Sequence, residues 1–289
     1  MTALPSTPEP VPALDAALEH GRTRGRLPKK VIVGAIIVGA VAMAAAVASL
    51  IGRYDPIQQD ILHRLQPPSA AHWFGTDALG RDVYARTVFA ARIDLPMAFL
   101  AALFPMIVGT FLGSLAGFFG RWADALVMRS ADLVQAFPVY VFLIALVFAL
   151  GPGFRSILIA FTAIGWVVYA RLIRGEILRV RSLDYVQAAR VAGLPRRRVL
   201  ARHVMPNTIQ QTIVYFMSDM VLAMITFASL SFLGLGISPP TPEWGAMISD
   251  GQPYLRSEPW LTLIPGAMIV LVGIGFSLVG DGLDDYLRS

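Results

Sequence analysis

A chain of 289 residues that is 56% hydrophobic and 15% charged departs from soluble domains, in which about 25% of residues are charged. Its apolar residues fall in long runs, the mark of a membrane protein, and its lack of cysteine excludes disulfides and thiolate metal sites. A net charge of +5 raises nucleic acid or anionic lipid as partners, and only the placement of the basic residues separates them.

Residues 1–30 are rich in proline (5, 8, 10, 12 and 28) and poor in large apolar residues. They are expected to form a disordered tail. Val31 to Ile51 is a run of 21 residues without charge, long enough to cross a bilayer as a first transmembrane helix. Ala46-Val47-Ala48 resembles a signal-peptide cleavage site. The run is too long for such a peptide, and the segment before it is long and carries acids.

Residues 52–93 read as an external segment. Asp82 is placed to cap a helix through Arg92 lying on the outer surface, the alternative being a plain surface loop. The glycines of Gly75-Thr76-Asp77 and Gly80-Arg81-Asp82 are weak as a phosphate cradle, because GTDALGRD lacks the GK[ST] ending, and no such motif occurs elsewhere. The chain is therefore expected to bind no ATP.

Residues 94–289 hold five further apolar runs. Leu95 to Gly120 spans 26 residues, Leu133 to Phe154 spans 22, and Pro259 to Gly280 spans 22. Ser156 to Ala170 is shorter at 15, but Leu172 and Ile173 extend it while Arg155 and Arg171 snorkel. Thr208 to Phe232 is apolar apart from Asp219. Prolines 96, 105, 138 and 265 do not veto these spans, since neighbouring helices absorb the freed backbone groups. Gly109, Gly113 and Gly117 form two GxxxG steps that admit a close helix, unless they merely reflect the abundance of glycine in membrane helices. Trp244 and Trp260 are expected to anchor at the interface. The architecture read from these runs is all-α, with about six transmembrane helices.

With six spans both termini share one side, and 17 of the 24 Lys and Arg residues fall on that side. The positive-inside rule then puts both termini and the basic segment 171–206 in the cytoplasm. Topology accounts for the basic balance, and nucleic acid is not needed as a partner.

Asp219 lies near the middle of its span, where a charge costs several kcal/mol and must face the bundle or water. A substrate contact, a structural polar contact and a gate or water path all remain open, with Tyr215 and Ser218 as neighbours on or near its face. The four histidines are dispersed and make no metal-ligand pair at helical spacing.

Within the cytoplasmic loop 174–206, Asp184 and Gln187 have the spacing of a capping box, with a short helix from Tyr185 to Ala192. Gly193 is a natural stop, followed by Pro195. Ala188 and Ala189 leave such a helix slim enough to enter a partner's groove, and the flanking arginines equally suit a helix lying on the membrane.

The string QAARVAGLPRRRVLARHVMPN resembles the EAA signature of permease subunits of binding-protein-dependent ABC importers. Gln187, Ala188 and Ala189 stand for the first element, Gly193 for the glycine, and His203, Met205 and Pro206 for its end. Gln replaces Glu, His replaces Ile and Met replaces Leu. His203 and Asn207 look like the peptide-importer subgroup. HWFGTDALGRDVYAR at 72–86, SFLGLGISPPTPEWGAMISDG at 231–251 and GDGL at 280–283 resemble the C-type permeases of dipeptide, oligopeptide and nickel importers.

The resemblance implies a type I ABC importer permease in the bacterial inner membrane, moving peptides, with nickel chelates or another small solute as the alternative. It implies a homologous B-type permease, two cytoplasmic ATPase subunits that bind ATP and magnesium, an extracytoplasmic solute-binding protein, and surrounding lipid as partners. It implies no cofactor, metal or catalytic residue in this chain. It also implies coupling to the ATPases through Asp184, Tyr185, Gln187, Ala188, Ala189, Arg190, Gly193 and Pro206. Tyr215, Ser218 and Asp219 are candidates for the translocation path. An ion-coupled secondary transporter would need paired ionisable groups inside the spans, and a membrane enzyme would need a nucleophile with its base or a metal cluster. Neither pattern is visible.

Overall fold

The computed structural model describes residues 28–51 and 54–288. Most of the tail expected over 1–30 therefore lies outside the described residues. In chain order the helices are α1 (Lys29–Ile51), α2 (Val83–Phe119), α3 (Arg121–Gln135), α4 (Val139–Leu150), α5 (Phe154–Val180), α6 (Asp184–Val191), α7 (Arg196–Val199), α8 (Met205–Phe232), α9 (Trp244–Gly251) and α10 (Trp260–Arg288). A π-helical turn, Leu200–Val204, joins α7 to α8. Among the described residues α1, α2, α5, α7–α8 and α10 are long and apolar enough to cross a membrane, and α3 with α4 can supply a sixth crossing.

That sixth crossing departs from the straight helix expected over Leu133–Phe154. The chain bends by 87° between α3 and α4. Pro138 sits at the N-cap of α4 and disfavours helical geometry at Phe137 before it. With 12 residues, α4 is about 18 Å long, short of the roughly 30 Å hydrocarbon core. α3 precedes it, strapped to α5 by ion pairs from Asp124 to Arg174 and from Asp132 to Arg171.

The Asp82 cap forms as the sequence suggests, its carboxylate accepting from the Ala85 N–H at 2.7 Å. A cap of this kind contributes about 1 kcal/mol. The helix does not stop at Arg92, however. It runs without interruption through Pro96 and Pro105 to Phe119, so residues 83–92 and the apolar run after them are one rod. It ends at Gly120, whose φ of +64° takes the chain out of helical geometry.

The three-glycine face of α2 is where α5 packs. A Cβ built on Gly109 would lie 2.6 Å from Tyr169 Cβ, and one on Gly113 would lie 2.7 Å from Ala170 Cα. Only a bare α-carbon permits that approach. α1 lies outside on α10 and α2, with Gly34 beside Val279 and Gly275 beside Val38. Lys30 pairs with Asp285 at 2.8 Å, which brings the start of α1 and the end of α10 to one end of the molecule.

At the opposite end residues 54–82 form a folded hub and not a plain loop. Thr76 is buried and accepts from the Gln66 N–H at 2.8 Å. Asp77 receives the buried Arg81 at 2.6 Å, and Arg81 also reaches Asp250 in the last turn of α9. His72 pairs with Asp82 at 2.8 Å. Asp60 begins a single helical turn, Ile61–His63, and its hydrogen bond with His63 holds its carboxyl below the usual carboxylate range. Trp244, expected as an interfacial anchor, is instead fully buried and donates its indole N–H to the Thr87 carbonyl of α2 at 2.9 Å. A buried indole needs such a partner, and α2 provides it. Trp260 packs against Gly75 of the hub.

Candidate coupling surface and solute path

The loop between α5 and α8 is built around α6. Its helix starts one residue earlier than the sequence suggests. Leu183 stands at the N-cap, and no side chain caps it. The expected Asp184–Gln187 capping box is thus absent. Asp184 occupies the first turn, where its charge suits the helix dipole, and the Gln187 amide donates back to the Arg181 carbonyl at 3.0 Å. The stop is as expected. Gly193 has φ +80°, its N–H donates to Arg190 O and the Leu194 N–H donates to Ala189 O. These two bonds make a Schellman end, which requires the left-handed residue that glycine supplies.

Packing then divides α6 into two faces. Val186 and Ala189 are buried with Val199 and Val204 against Ile173, Ile177 and Val180 of α5 and Phe118 of α2. Ala189 is only 8% exposed, so it faces the chain's own interior and not a partner's groove, contrary to the sequence reading. Its smallness serves the approach of α6 to α5. The outward face carries Asp184, Tyr185, Gln187 and Ala188. It also carries Val191, at 89% exposed, an apolar side chain in water that the family pattern did not flag.

The loop is fastened to the bundle by three further contacts. Arg181 donates to the Gly117 carbonyl at 2.9 Å, Tyr185 Oη donates to the His203 carbonyl at 3.2 Å, and the Arg190 guanidinium lies over the Phe118 ring. These tie α6 to the end of α2 and to the π-helical turn before α8. Pro206 is exposed in the first turn of α8, where its missing N–H costs nothing. A π-turn is a frequent site of bending in a helix, and this one lies between α6 and the span that carries Asp219.

Asp219 and Tyr215 come together with a residue that sequence reading missed. Tyr169 of α5 donates its hydroxyl to Asp219 Oδ2 at 2.8 Å, and its ring meets Tyr215 edge-on at 5.0 Å. Ser218 does not join them. It is exposed and lies beside Gly280 of α10, because adjacent residues point about 100° apart on a helix. A tyrosine inside an apolar run was the available signal for Tyr169. We expect Tyr169→Phe to cost about 1–3 kcal/mol, since Asp219 loses its donor inside the bundle. Asp219→Asn keeps an acceptor for Tyr169 and should be near neutral. Melting curves of the detergent-solubilised protein check both.

The α3–α4 break is a second candidate feature for a solute path. Phe137, Tyr140 and Val141 beside it are exposed. A broken helix at membrane depth is tolerated where it lines a cavity or is covered by protein, and interrupted helices mark solute sites in transporters. Pro138 was its sequence signal.

Comparison with known proteins accounts for these features together. Residues 109–289 match the family model of the binding-protein-dependent transport system inner membrane component. The chain is 38% identical to the dipeptide transport system permease protein of Alkalihalophilus pseudofirmus, over 99% of this chain and 95% of the relative. It is 39% identical to the oligopeptide transport system permease protein of Bacillus subtilis, over 91% and 87%. It is 40% identical to the glutathione transport system permease protein of Pectobacterium atrosepticum, over 76% and 73%. With its apolar spans, its α6 loop and this match over most of its length, the chain belongs to the family of inner membrane components of binding-protein-dependent transport systems.

Proposed function

We propose that the chain is the permease subunit of an ABC importer that takes up di- or oligopeptides handed over by a solute-binding protein. The observation that supports this reading best is α6, a short helix locked to α2, α5 and α8 on one face and open on the other. The relatives named for dipeptides and oligopeptides favour peptides over nickel chelates. On this reading α6 and both termini face the cytoplasm, in keeping with the positive-inside rule and the basic residues of 171–206. Two separate ATPase subunits, which bind ATP and magnesium, dock on its outward face. A homologous B-type permease covers the side that carries the α3–α4 break. When the ATPases close, α6 moves as a lever. Arg181 and Tyr185 carry the movement to the end of α2 and to the π-turn, and the Asp219–Tyr169 contact keeps α5 and α8 in step.

Proteoliposomes containing the chain, a B-type permease, both ATPases and a binding protein test this. We expect uptake of labelled dipeptide to require ATP inside the vesicle and to survive collapse of the proton gradient. Uptake that stops with the gradient while ATP persists would assign ion-coupled transport instead. Uptake of a nickel chelate with no competition from peptides would replace the substrate.

A further inference from the structure

Two carboxyl groups far apart in sequence meet inside the end of the molecule that carries the external segment. Asp94 of α2 is 1% exposed and Glu243, just before α9, is 0% exposed. Glu243 caps α9, with Oε1 accepting from the Gly245 N–H at 2.7 Å and Oε2 from the Ala246 N–H at 2.8 Å. Asp94 Oδ2 accepts from the Trp244 N–H at 3.2 Å. Glu243 directly precedes Trp244, so the bond from Trp244 to Asp94 sets the two carboxyl groups side by side, each acting on the other's charge. Ser231, buried near the end of α8, turns its hydroxyl toward Glu243 and has no partner at ordinary hydrogen-bond length.

Among the described residues no ion pair joins a cation to either carboxyl. On α2, Arg86 is taken up by Asp77 and the Pro56 carbonyl, and Arg92 donates to the Ala45 and Ala46 carbonyls of α1. On α9, Asp250 turns to Arg81. From α8 the nearest acid is Asp219, three turns away and held by Tyr169. α10 meets α9 through Leu261 and Thr262, which carry no charge. Two carboxylates in contact within a dry site cannot both be ionised. One proton held by the pair relieves this, and the backbone bonds say where it sits. Both oxygens of Glu243 already accept N–H groups, so Glu243 is the carboxylate. Asp94 accepts on one oxygen only, so its other oxygen carries the proton.

We propose that Asp94 and Glu243 form a proton-binding site, with one proton held on Asp94, that fastens α9 to α2. The Trp244 bonds to Thr87 and Asp94 flank this proton, so the external helix and the long α2 rod move together while it is bound. Removing it leaves two buried negative charges in contact, and α9 detaches. Burial raises the Glu243 carboxyl above its usual range, against the pull of its hydrogen bonds. The unfolded chain gives up the Asp94 proton in the ordinary carboxylate range, while the folded chain keeps it. The fastening is thus complete in acid, and stability is lost as the pH rises through the folded value.

The test uses the full chain in lipid nanodiscs. We expect its infrared spectrum at neutral pH to contain the carbonyl band of a buried protonated carboxyl, and Asp94→Asn to remove that band. We also expect the wild-type melting temperature to fall by several degrees between about pH 5 and about pH 10. Asp94→Asn keeps a donor for Glu243 but cannot titrate, so its curve should be flatter over that range. If that variant does not fold, Glu243→Gln gives the same two readouts, because its amide donates to an ionised Asp94. An unchanged infrared band together with a wild-type pH slope in both variants would overturn the site. Sodium or calcium that raises the melting temperature of the wild type and not of Asp94→Asn would also overturn it, by making the pair a metal-cation site.

Discussion

Gly113→Leu is expected to abolish accumulation of the folded chain. Gly113 lies at the middle of the α2–α5 contact, and a Cβ there would press on the Ala170 backbone and on Ile173. Backbone cannot swing aside as a flexible side chain does, so the two longest-paired helices must separate. Overpacking of a core commonly costs 1–3 kcal/mol. Here the strain also breaks the contacts of Gly109 and Gly117 on the same face, so the total approaches the roughly 5–15 kcal/mol that stabilises a whole protein. Gly175, also on α5, is the control. Nothing lies within 4 Å of a Cβ built there, and Gly175→Leu should accumulate normally. Monodisperse protein after size-exclusion chromatography measures both. Normal amounts of Gly113→Leu with a wild-type melting temperature would show that these helices do not pack through their glycines.

Val191→Lys is expected to leave the chain folded and to lower ATP hydrolysis stimulated by loaded binding protein at least about tenfold, a change of roughly 1.4 kcal/mol in the coupled step. Val191 has no cluster of its own to support, and a cation in the last turn of α6 is compatible with the helix dipole. Any effect must then arise at the outward face, where an ammonium would be buried against an ATPase. Ala189→Trp and Gly193→Val make the contrast. The first forces an indole between α6 and α5. The second puts a β-branched residue at φ +80°, a strain of about 1–2 kcal/mol. Both should lower the melting temperature as well as transport, which Val191→Lys should not. Wild-type stimulation in Val191→Lys would remove α6 from the coupling role.

What could be read in the sequence is what depends on local chemistry. A crossing helix satisfies its own backbone groups, so apolar run length located α1, α2 and α10 directly, and α5 and α8 once flanking arginines and Asp219 were allowed for. Asp82 at a helix start, Gly193 at a helix end and the glycine spacing of α2 each state a backbone requirement that neighbours in sequence reveal. The rest depended on how helices rotate against one another. α6 carries adjacent alanines at 188 and 189 and valines at 186 and 191, and its sequence does not say which of them is covered, so only the packing of α6 on α5 decided that Ala189 points inward while Val191 points out. The bend at Pro138 needed α3 to be held on α5 by Asp124 and Arg174 before it became a broken crossing in place of a tilted one. Trp244 looked like an interfacial residue until α2 offered it the Thr87 carbonyl. Tyr169 with Asp219, and Asp94 with Glu243, join residues that no local rule connects. Their partners are fixed by close packing of distant helices, and burial makes a polar group in such a place take whatever partner that packing brings within reach.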